Sequence, residues 1–251
     1  MDPSWPGDAA GLEALQRRLA ALTPPPYAPG PAARVGACFV CFAEDAEALA
    51  SGAEPAWAAA ATFEGDRRVA AAVVAGTTAA GYVPGLLALR AGTLLQHAVE
   101  GLPLPPDVLL VDATGRDHPR GAGLALHLGA ALGLPTVGVT DRPLVAEAAS
   151  APLPGGELAH GRGPAAAPRP LLLAGELVGY LVSTRAGARP LVAHAAWRTD
   201  PGTALALVTR FAGGARTPAP LREARRLART ARAVAAGRAP RPAGDPPPRR
   251  R

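Results

Sequence analysis

The segment that most constrains the fold covers residues 107–140, where two short apolar runs flank a helical pattern. DVLLVD (107–112) predicts a buried strand, GAGLALHLGAALGL (121–134) predicts a helix, and PTVGVT (135–140) predicts a second strand. A strand, a helix and a strand in this order form a βαβ unit with parallel strands. Asp112 therefore lies at the carboxyl end of its strand, where open α/β sheets place their ligands.

Neighbouring segments extend this unit to an α/β domain over residues 1–236. RVGACFVCF (34–42) predicts a buried strand, and PAWAAAATFEGDRRVAAAVVAG (55–76) predicts two strands joined by a tight turn at EGD. The order predicts a mixed five-stranded sheet flanked by helices. Helical patterns occupy residues 9–22, 86–102, 200–211 and 221–236, and further strands are predicted over 170–184 and 188–197.

The positive charge is concentrated at the C-terminal end. The net charge is +6, but residues 221–251 carry ten arginines against Glu223 and Asp245, a local +8 that leaves residues 1–220 at −2. Nucleic-acid affinity comes largely from neutralisation of phosphates by a basic surface. We expect the C-terminal region to aid binding to DNA or RNA, although the arginines of the last helix could instead form a solvated face. The Pro- and Arg-rich segment 237–251 is predicted to be disordered.

The cysteines and the apolar segments bear on the compartment. Cys38 and Cys41 are three residues apart in a predicted strand, so their side chains point to opposite faces and can neither pair nor share a metal ion. The N-terminus lacks the pattern of a signal peptide, and no apolar run reaches the roughly 18 residues needed to span a membrane. We expect a cytoplasmic monomer without membrane contact.

Three segments carry a resemblance to a known family. YVPGLLALR (82–90), LLVDATGRDHPRGAGLALHLGAALGLPTVGV (109–139) and TALALV (203–208), in this order and spacing, strongly resemble endonuclease V. The likeness runs from roughly Gly11 to Ala236. It implies a ribonuclease H-like fold and a Mg²⁺-dependent nuclease that recognises deaminated bases, chiefly inosine, and cuts the strand nearby in DNA repair.

The sequence departs from the family at the expected catalytic positions. The family's Val-Asp-x-Ser-Phe strand aligns with CFVCF, which puts Phe39 in place of the aspartate, and Ala91 stands where Phe-Arg-Glu has its glutamate. The Gly-His-Arg motif falls on AWR, so Trp197 replaces the histidine while Arg198 remains. Asp112 is the family carboxylate that is retained, and the resemblance implies that it is a metal ligand. As the one carboxylate left, it would bind Mg²⁺ only weakly.

The resemblance also assigns contacts with the base and the nucleic acid. These residues are Tyr82, Pro84, Gly85, Leu87, His118 and Arg198. Tyr82 resembles an aromatic wedge that fills the gap left by an extruded base. Each assignment has a structural alternative: Tyr82 could be a half-buried loop tyrosine, and His118 a satisfied residue in the turn before a helix. Asp112 itself could simply accept backbone N–H groups from the turn that follows it.

The sequence leaves three functions open. The first is a family member without efficient cleavage, because a phenyl ring and a methyl group offer no lone pair to Mg²⁺. The second is an active nuclease with a metal site rebuilt from Asp112 and Asp141, which end neighbouring parallel strands; Glu44 or Asp45 could assist, and His194 could replace the missing histidine. The third is a protein-interaction module with an apolar patch at Phe39 and Trp197.

Overall fold

The computed structural model describes residues 5–43, 54–78, 81, 83–149 and 167–238. Its helices are α1 (Ala9–Ala20), α2 (Leu87–Glu100), α3 (Leu124–Leu132), α4 (Pro201–Ala212) and α5 (Ala219–Ala235). Its strands are β1 (Val35–Phe42), β2 (Pro55–Glu64), β3 (Arg67–Thr77), β4 (Val108–Val111), β5 (Thr136–Thr140), β6 (Glu147–Ala148), β7 (Arg169–Leu173), β8 (Glu176–Val182) and β9 (Leu191–Ala195). The predictions for Glu44, Asp45, Tyr82 and the tail beyond Arg238 lie outside these residues.

The strands form one mixed sheet in the order β3-β2-β1-β4-β5-β9-β8-β7-β6. The parallel strands β1, β4 and β5 share this sheet as predicted, with Cys38 opposite Val111 and Val111 opposite Gly138. The prediction of five strands was too small. β9 pairs antiparallel with the open edge of β5, and β8, β7 and β6 continue the sheet, giving nine strands among the described residues.

Helices cover both faces of the sheet. One apolar cluster packs α1, α2 and α3 on the face that includes Cys38, and a second packs α4 and the start of α5 on the face that includes Ala37. Cys41 packs beside Ala228 of α5, on the face opposite Cys38, which confirms that the two cysteines point apart. The burial of two faces explains why the central strands are continuous apolar runs.

A polar capping residue begins α4, and a glycine ends α3. The Asp200 side chain accepts a hydrogen bond from the Thr203 N–H at 2.6 Å and so begins α4, as predicted. Gly133 adopts φ of +64° at the end of α3, a left-handed conformation that glycine accepts readily. In the described ranges, no helix combines the length and the apolar character needed to cross a bilayer.

Candidate functional site

A cleft of about 200 Å³ opens at the carboxyl ends of β1 and β4. Its lining is apolar apart from one carboxylate and one thiol: Cys38, Phe39, Val40, Phe42, Leu87, Leu95, Asp112 and Leu124. The structure thus brings Asp112, Phe39 and Leu87, three of the predicted site residues, to one place. The lining itself contains a single charged group.

Asp112 is paired with an arginine from the last helix. Nε and Nη2 of Arg225 each lie 2.8 Å from Oδ2 of Asp112, and the two side chains are 18% and 21% exposed. Burial alone would lower the pKa of Arg225, but the charge and hydrogen bond of Asp112, together with the charge of Asp141, raise that pKa above its ordinary value. The alternative in which backbone N–H groups hold Asp112 is wrong for the described part of the chain, because α5 brings a guanidinium to the carboxylate instead.

Phe39 lies next to Asp112 on the neighbouring strand, since Cys38 is paired with Val111. The guanidinium carbons of Arg225 and Arg229 lie 5.8 Å and 5.4 Å from the centre of the Phe39 ring. An aromatic face attracts cations at these distances. The position that the resemblance assigns to a carboxylate therefore supports two arginines.

Ala91 and Cys38 add no ligand to the cleft. Ala91 is fully buried in α2, one turn from each of the lining residues Leu87 and Leu95, so its methyl group faces the same side. Burial and the Asp112 charge raise the pKa of Cys38, which keeps its sulfur as a neutral thiol.

These residues do not fit a divalent metal ion. Mg²⁺ requires several oxygen ligands, and the one carboxylate of the cleft already accepts two charge-assisted hydrogen bonds from Arg225. Within the ranges that the structure describes, no three histidine, cysteine, aspartate or glutamate side chains are grouped so that they could hold a metal. The Mg²⁺ implied by the family resemblance has no matching ligand set among these residues.

Asp141 follows β5, next to the strand that ends at Asp112, as predicted. Nη1 of Arg216 lies 2.8 Å from its Oδ1. Burial would raise the pKa of Asp141, but the hydrogen bond from Arg216 and the charges of Arg216 and Arg225 hold it below its ordinary value. A cation bridging Asp112 and Asp141 would therefore have to displace two guanidinium groups.

Trp197 and Arg198 do not reach this cleft. The Trp197 backbone exchanges hydrogen bonds with Thr136, at 2.9 Å to its N–H and 3.2 Å to its Oγ1. Thr136 begins β5, and β5 runs parallel to β4, so this contact is at the end of the strands opposite Asp112. Trp197 is therefore not a lost ligand of the cleft. It packs with the α1–α3 cluster and Phe39 with the α4–α5 side, so the proposed joint apolar patch does not form.

His118 secures the loop that precedes α2. Its Nε2 donates to the Gly85 carbonyl at 3.2 Å, and its Nδ1 accepts from the Arg120 N–H at 3.2 Å, an arrangement that requires a neutral ring. Burial, followed by the charge of Arg120, lowers the pKa of His118 to about 4. The Gly85 carbonyl also accepts from Nη2 of Arg120 at 2.9 Å and from Gln16 at 3.3 Å. These contacts favour the structural reading of His118; Pro84 beside it is exposed.

His194 belongs to a separate buried network on the face opposite Ala193 and α4. Its Nε2 lies 2.7 Å from Thr140 Oγ1, and its Nδ1 lies 3.7 Å from Asp117 Oδ2. Asp117 also accepts three backbone N–H groups, from residues 144, 145 and 146. Burial lowers the pKa of His194, and Asp117 only partly opposes this. His194 thus joins two loops to the sheet and does not approach the position proposed for a missing catalytic histidine.

The Asp112–Arg225 pair leads to a stability prediction. Asp112→Asn should lower the free energy of unfolding by about 1–2 kcal/mol, because it leaves a largely buried guanidinium without its charged acceptor. Asp141→Asn is the matched control: that side chain is 59% exposed, and its loss should change stability by less than about 0.5 kcal/mol. Urea unfolding of both variants measures this. Equal effects would contradict a special role for the Arg225 pair.

In the sheet, β1 lies between the antiparallel β2 and the parallel β4, and helices cover both faces. This arrangement is that of a ribonuclease H-like protein. The endonuclease V family model matches residues 28–226, and the chain belongs to the endonuclease V family.

Individual relatives agree with this. An endonuclease V of Methanopyrus kandleri is 43% identical over 164 residues, which is 65% of this chain and 65% of that protein, slightly under two thirds of its length. The crystal structure of the endonuclease V from Streptomyces avermitilis has a TM-score of 0.78 at 30% identity and covers 93% of this chain and 96% of its own. The Ciona intestinalis endonuclease V, crystallised with a 24-mer DNA containing an inosine followed by a ribo-adenosine, shares the fold with a TM-score of 0.71 at 18% identity, over 88% and 95% of the two chains.

Proposed function

We propose that this chain is an endonuclease V homologue that has kept the nucleic-acid-binding scaffold of its family and lost efficient metal-dependent cleavage. The observation that carries this proposal is the ion pair between Asp112 and Arg225. It occupies a cleft in which Phe39 and Ala91 stand where the family resemblance expects carboxylates. A guanidinium is a fixed cation that cannot activate water or polarise a phosphoryl oxygen as a bound metal does.

The proposed ligand is a nucleic acid that contains a deaminated base. Family membership supports this, as does the inosine-containing DNA in the Ciona structure. In this chain, the proposed base-reading segment comprises Tyr82, Pro84, Gly85 and Leu87, with His118 holding the Gly85 carbonyl in place. Val83 is 49% exposed and Pro84 is exposed, so these two described residues of the segment are accessible to a bound strand.

A rebuilt nuclease is the second candidate. It is supported by one observation: Asp112 and Asp141 follow strands that are parallel neighbours in the sheet. The separate ion pairs of these carboxylates, Asp112 with Arg225 and Asp141 with Arg216, count against it. The two candidates differ in whether a divalent cation binds at Asp112.

Thermal unfolding with and without Mn²⁺ tests the proposal. We expect Mn²⁺ to leave the melting temperature unchanged. If no Mn²⁺ binds to the folded protein, it adds no free energy to the folded state. In a rebuilt site, Mn²⁺ would raise the melting temperature, and Asp112→Ala and Asp141→Ala would each abolish that rise. A rise in the wild type that either variant removes would refute the proposal.

A further inference from the structure

One face of α5 presents a row of arginines to the carboxyl ends of β1 and β4. Arg225, Arg229 and Arg232 follow the spacing i, i+4, i+7, which places them on one side of the helix. Arg225 bonds to Asp112, Arg229 lies over the Phe39 ring, and Nη1 of Arg232 donates to the Phe42 carbonyl at 3.0 Å. Each of the three guanidinium groups thus contacts a residue that lines the cleft, although none of them is part of the lining itself. We call these three residues the arginine row.

Within the described part of the chain, the charge of Arg229 is not paired with a carboxylate. Arg225 uses Nε and Nη2 for Asp112, and its Nη1 group has no protein acceptor in the described part of the chain. Arg229 is exposed, and the contact that the structure gives it is the face of Phe39, which holds the guanidinium without neutralising it. Asp112 is the only carboxylate bonded to the row among the described residues. Arg229 therefore places an exposed positive charge beside Phe39, a residue of the cleft, and no described carboxylate pairs with it.

This chemistry suits a phosphodiester. A guanidinium presents planar N–H donors that match the oxygens of a phosphate, and its charge persists at any physiological pH. Arg225 and Arg229 are both steadied by Phe39, which reduces the side-chain freedom that binding would have to restrict. A phosphate bound here would meet these guanidinium groups directly, without a metal ion between them.

We propose that the arginine row is a metal-independent binding site for the phosphodiester backbone of nucleic acid, with Arg229 making the principal contact. The identity of the ligand rests on the proposed function. The proposed loss of cleavage is a separate claim, since arginine-mediated binding is measured in EDTA and cleavage in the presence of metal.

The test is fluorescence anisotropy of a labelled inosine-containing DNA duplex with the full chain in EDTA, over a series of salt concentrations. Arg229→Gln should weaken binding about tenfold, as expected for loss of a charge-assisted contact, and should lower the magnitude of the log–log salt slope by about 0.9. Arg18→Gln is the matched control, because it removes the same charge from an exposed position on α1, across the sheet from α5. It should leave both the affinity and the slope nearly unchanged.

Several outcomes would overturn the proposal. Equal weakening by Arg229→Gln and Arg18→Gln would show a response to general charge and not to the row. Binding that appears only when Mg²⁺ or Mn²⁺ is added, or no binding at all, would also refute it. The melting temperatures of both variants are measured alongside, so that a change in affinity is not mistaken for unfolding. In the described ranges, Arg229 makes no buried ion pair whose loss would unfold the chain. If metal-dependent cleavage is found while the effect of Arg229→Gln persists in EDTA, the proposed loss of activity fails and the arginine row stands.

Discussion

Lowering the pH from 6.5 to 4 should destabilise the protein by several kcal/mol. His118 has a folded-state pKa of about 4 against an ordinary value of 6.5. The neutral ring is therefore favoured in the folded state, and its contribution is complete above pH 6.5 and is lost as the pH falls towards 4. The difference corresponds to about 3 kcal/mol for His118 alone. His194, whose pKa is also lowered by burial, adds to the loss in the same direction.

Urea unfolding at pH 7, 6, 5 and 4 measures this effect. His118→Gln can still donate to the Gly85 carbonyl but cannot titrate, so its stability should fall less steeply with acid than that of the wild type. His97→Gln is the control because the His97 ring is exposed on α2, and it should retain the wild-type slope. The pKa values of the paired carboxylates Asp107, Asp141 and Glu223 lie below their ordinary values of 3.8, 3.8 and 4.5. These groups therefore lose their contribution to stability mainly below the pH range in which His118 titrates. An identical slope for His118→Gln and the wild type would contradict the assignment of a neutral His118.

The sequence predicted the central strands well because their residues are buried on both faces. Val35 to Cys38 and Val108 to Val111 form continuous apolar runs, and their parallel pairing follows from the helices between the strands. The position of Asp112 at the cleft followed from the same pattern. The two-residue strand β6 is too short to produce a period and was missed.

The partner of Asp112 could not be read in the same way. Arg225 lies 113 residues further along the chain, in a helix with arginines on several faces. The sequence shows that this helix is basic and amphipathic, but which arginine meets Asp112 depends on how α5 docks across β1 and β2. The small buried residues Ala224 and Ala228 permit that close docking. An arginine one turn from a buried alanine could have pointed to the partner of Asp112. Because this pattern occurs more than once in α5, it does not single out Arg225.

The prediction for Trp197 was wrong in its location for a geometric reason. Matching a family motif gives a position in the sequence and not a position in the sheet. β9 runs antiparallel to β5, so a residue that follows β9 returns to the amino end of β5, away from Asp112. His194 was likewise a plausible substitute by its sequence distance alone, but strand alternation turns it towards Asp117.

Cleavage of inosine-containing DNA should be at least about 10³-fold slower than with the endonuclease V of Streptomyces avermitilis under identical conditions. Removing both metal stabilisation and general acid–base assistance costs about this factor or more, which corresponds to about 4 kcal/mol in the barrier. The cleft retains Asp112, but its oxygen is engaged by Arg225, and Phe39 and Ala91 supply no further ligand. Mg²⁺ and Mn²⁺ should therefore give the same background rate.

The loss of metal-dependent cleavage is tested most directly by a single-turnover nicking assay of the full chain on an end-labelled, inosine-containing duplex with Mg²⁺ or Mn²⁺. The Streptomyces avermitilis relative is the positive control, and Asp112→Ala, purified in the same way, measures contaminating nuclease. We expect the wild type and Asp112→Ala to give the same rate, at the level of the background. Metal-dependent nicking by the wild type that Asp112→Ala abolishes would contradict it and would show that Asp112 still holds a catalytic metal.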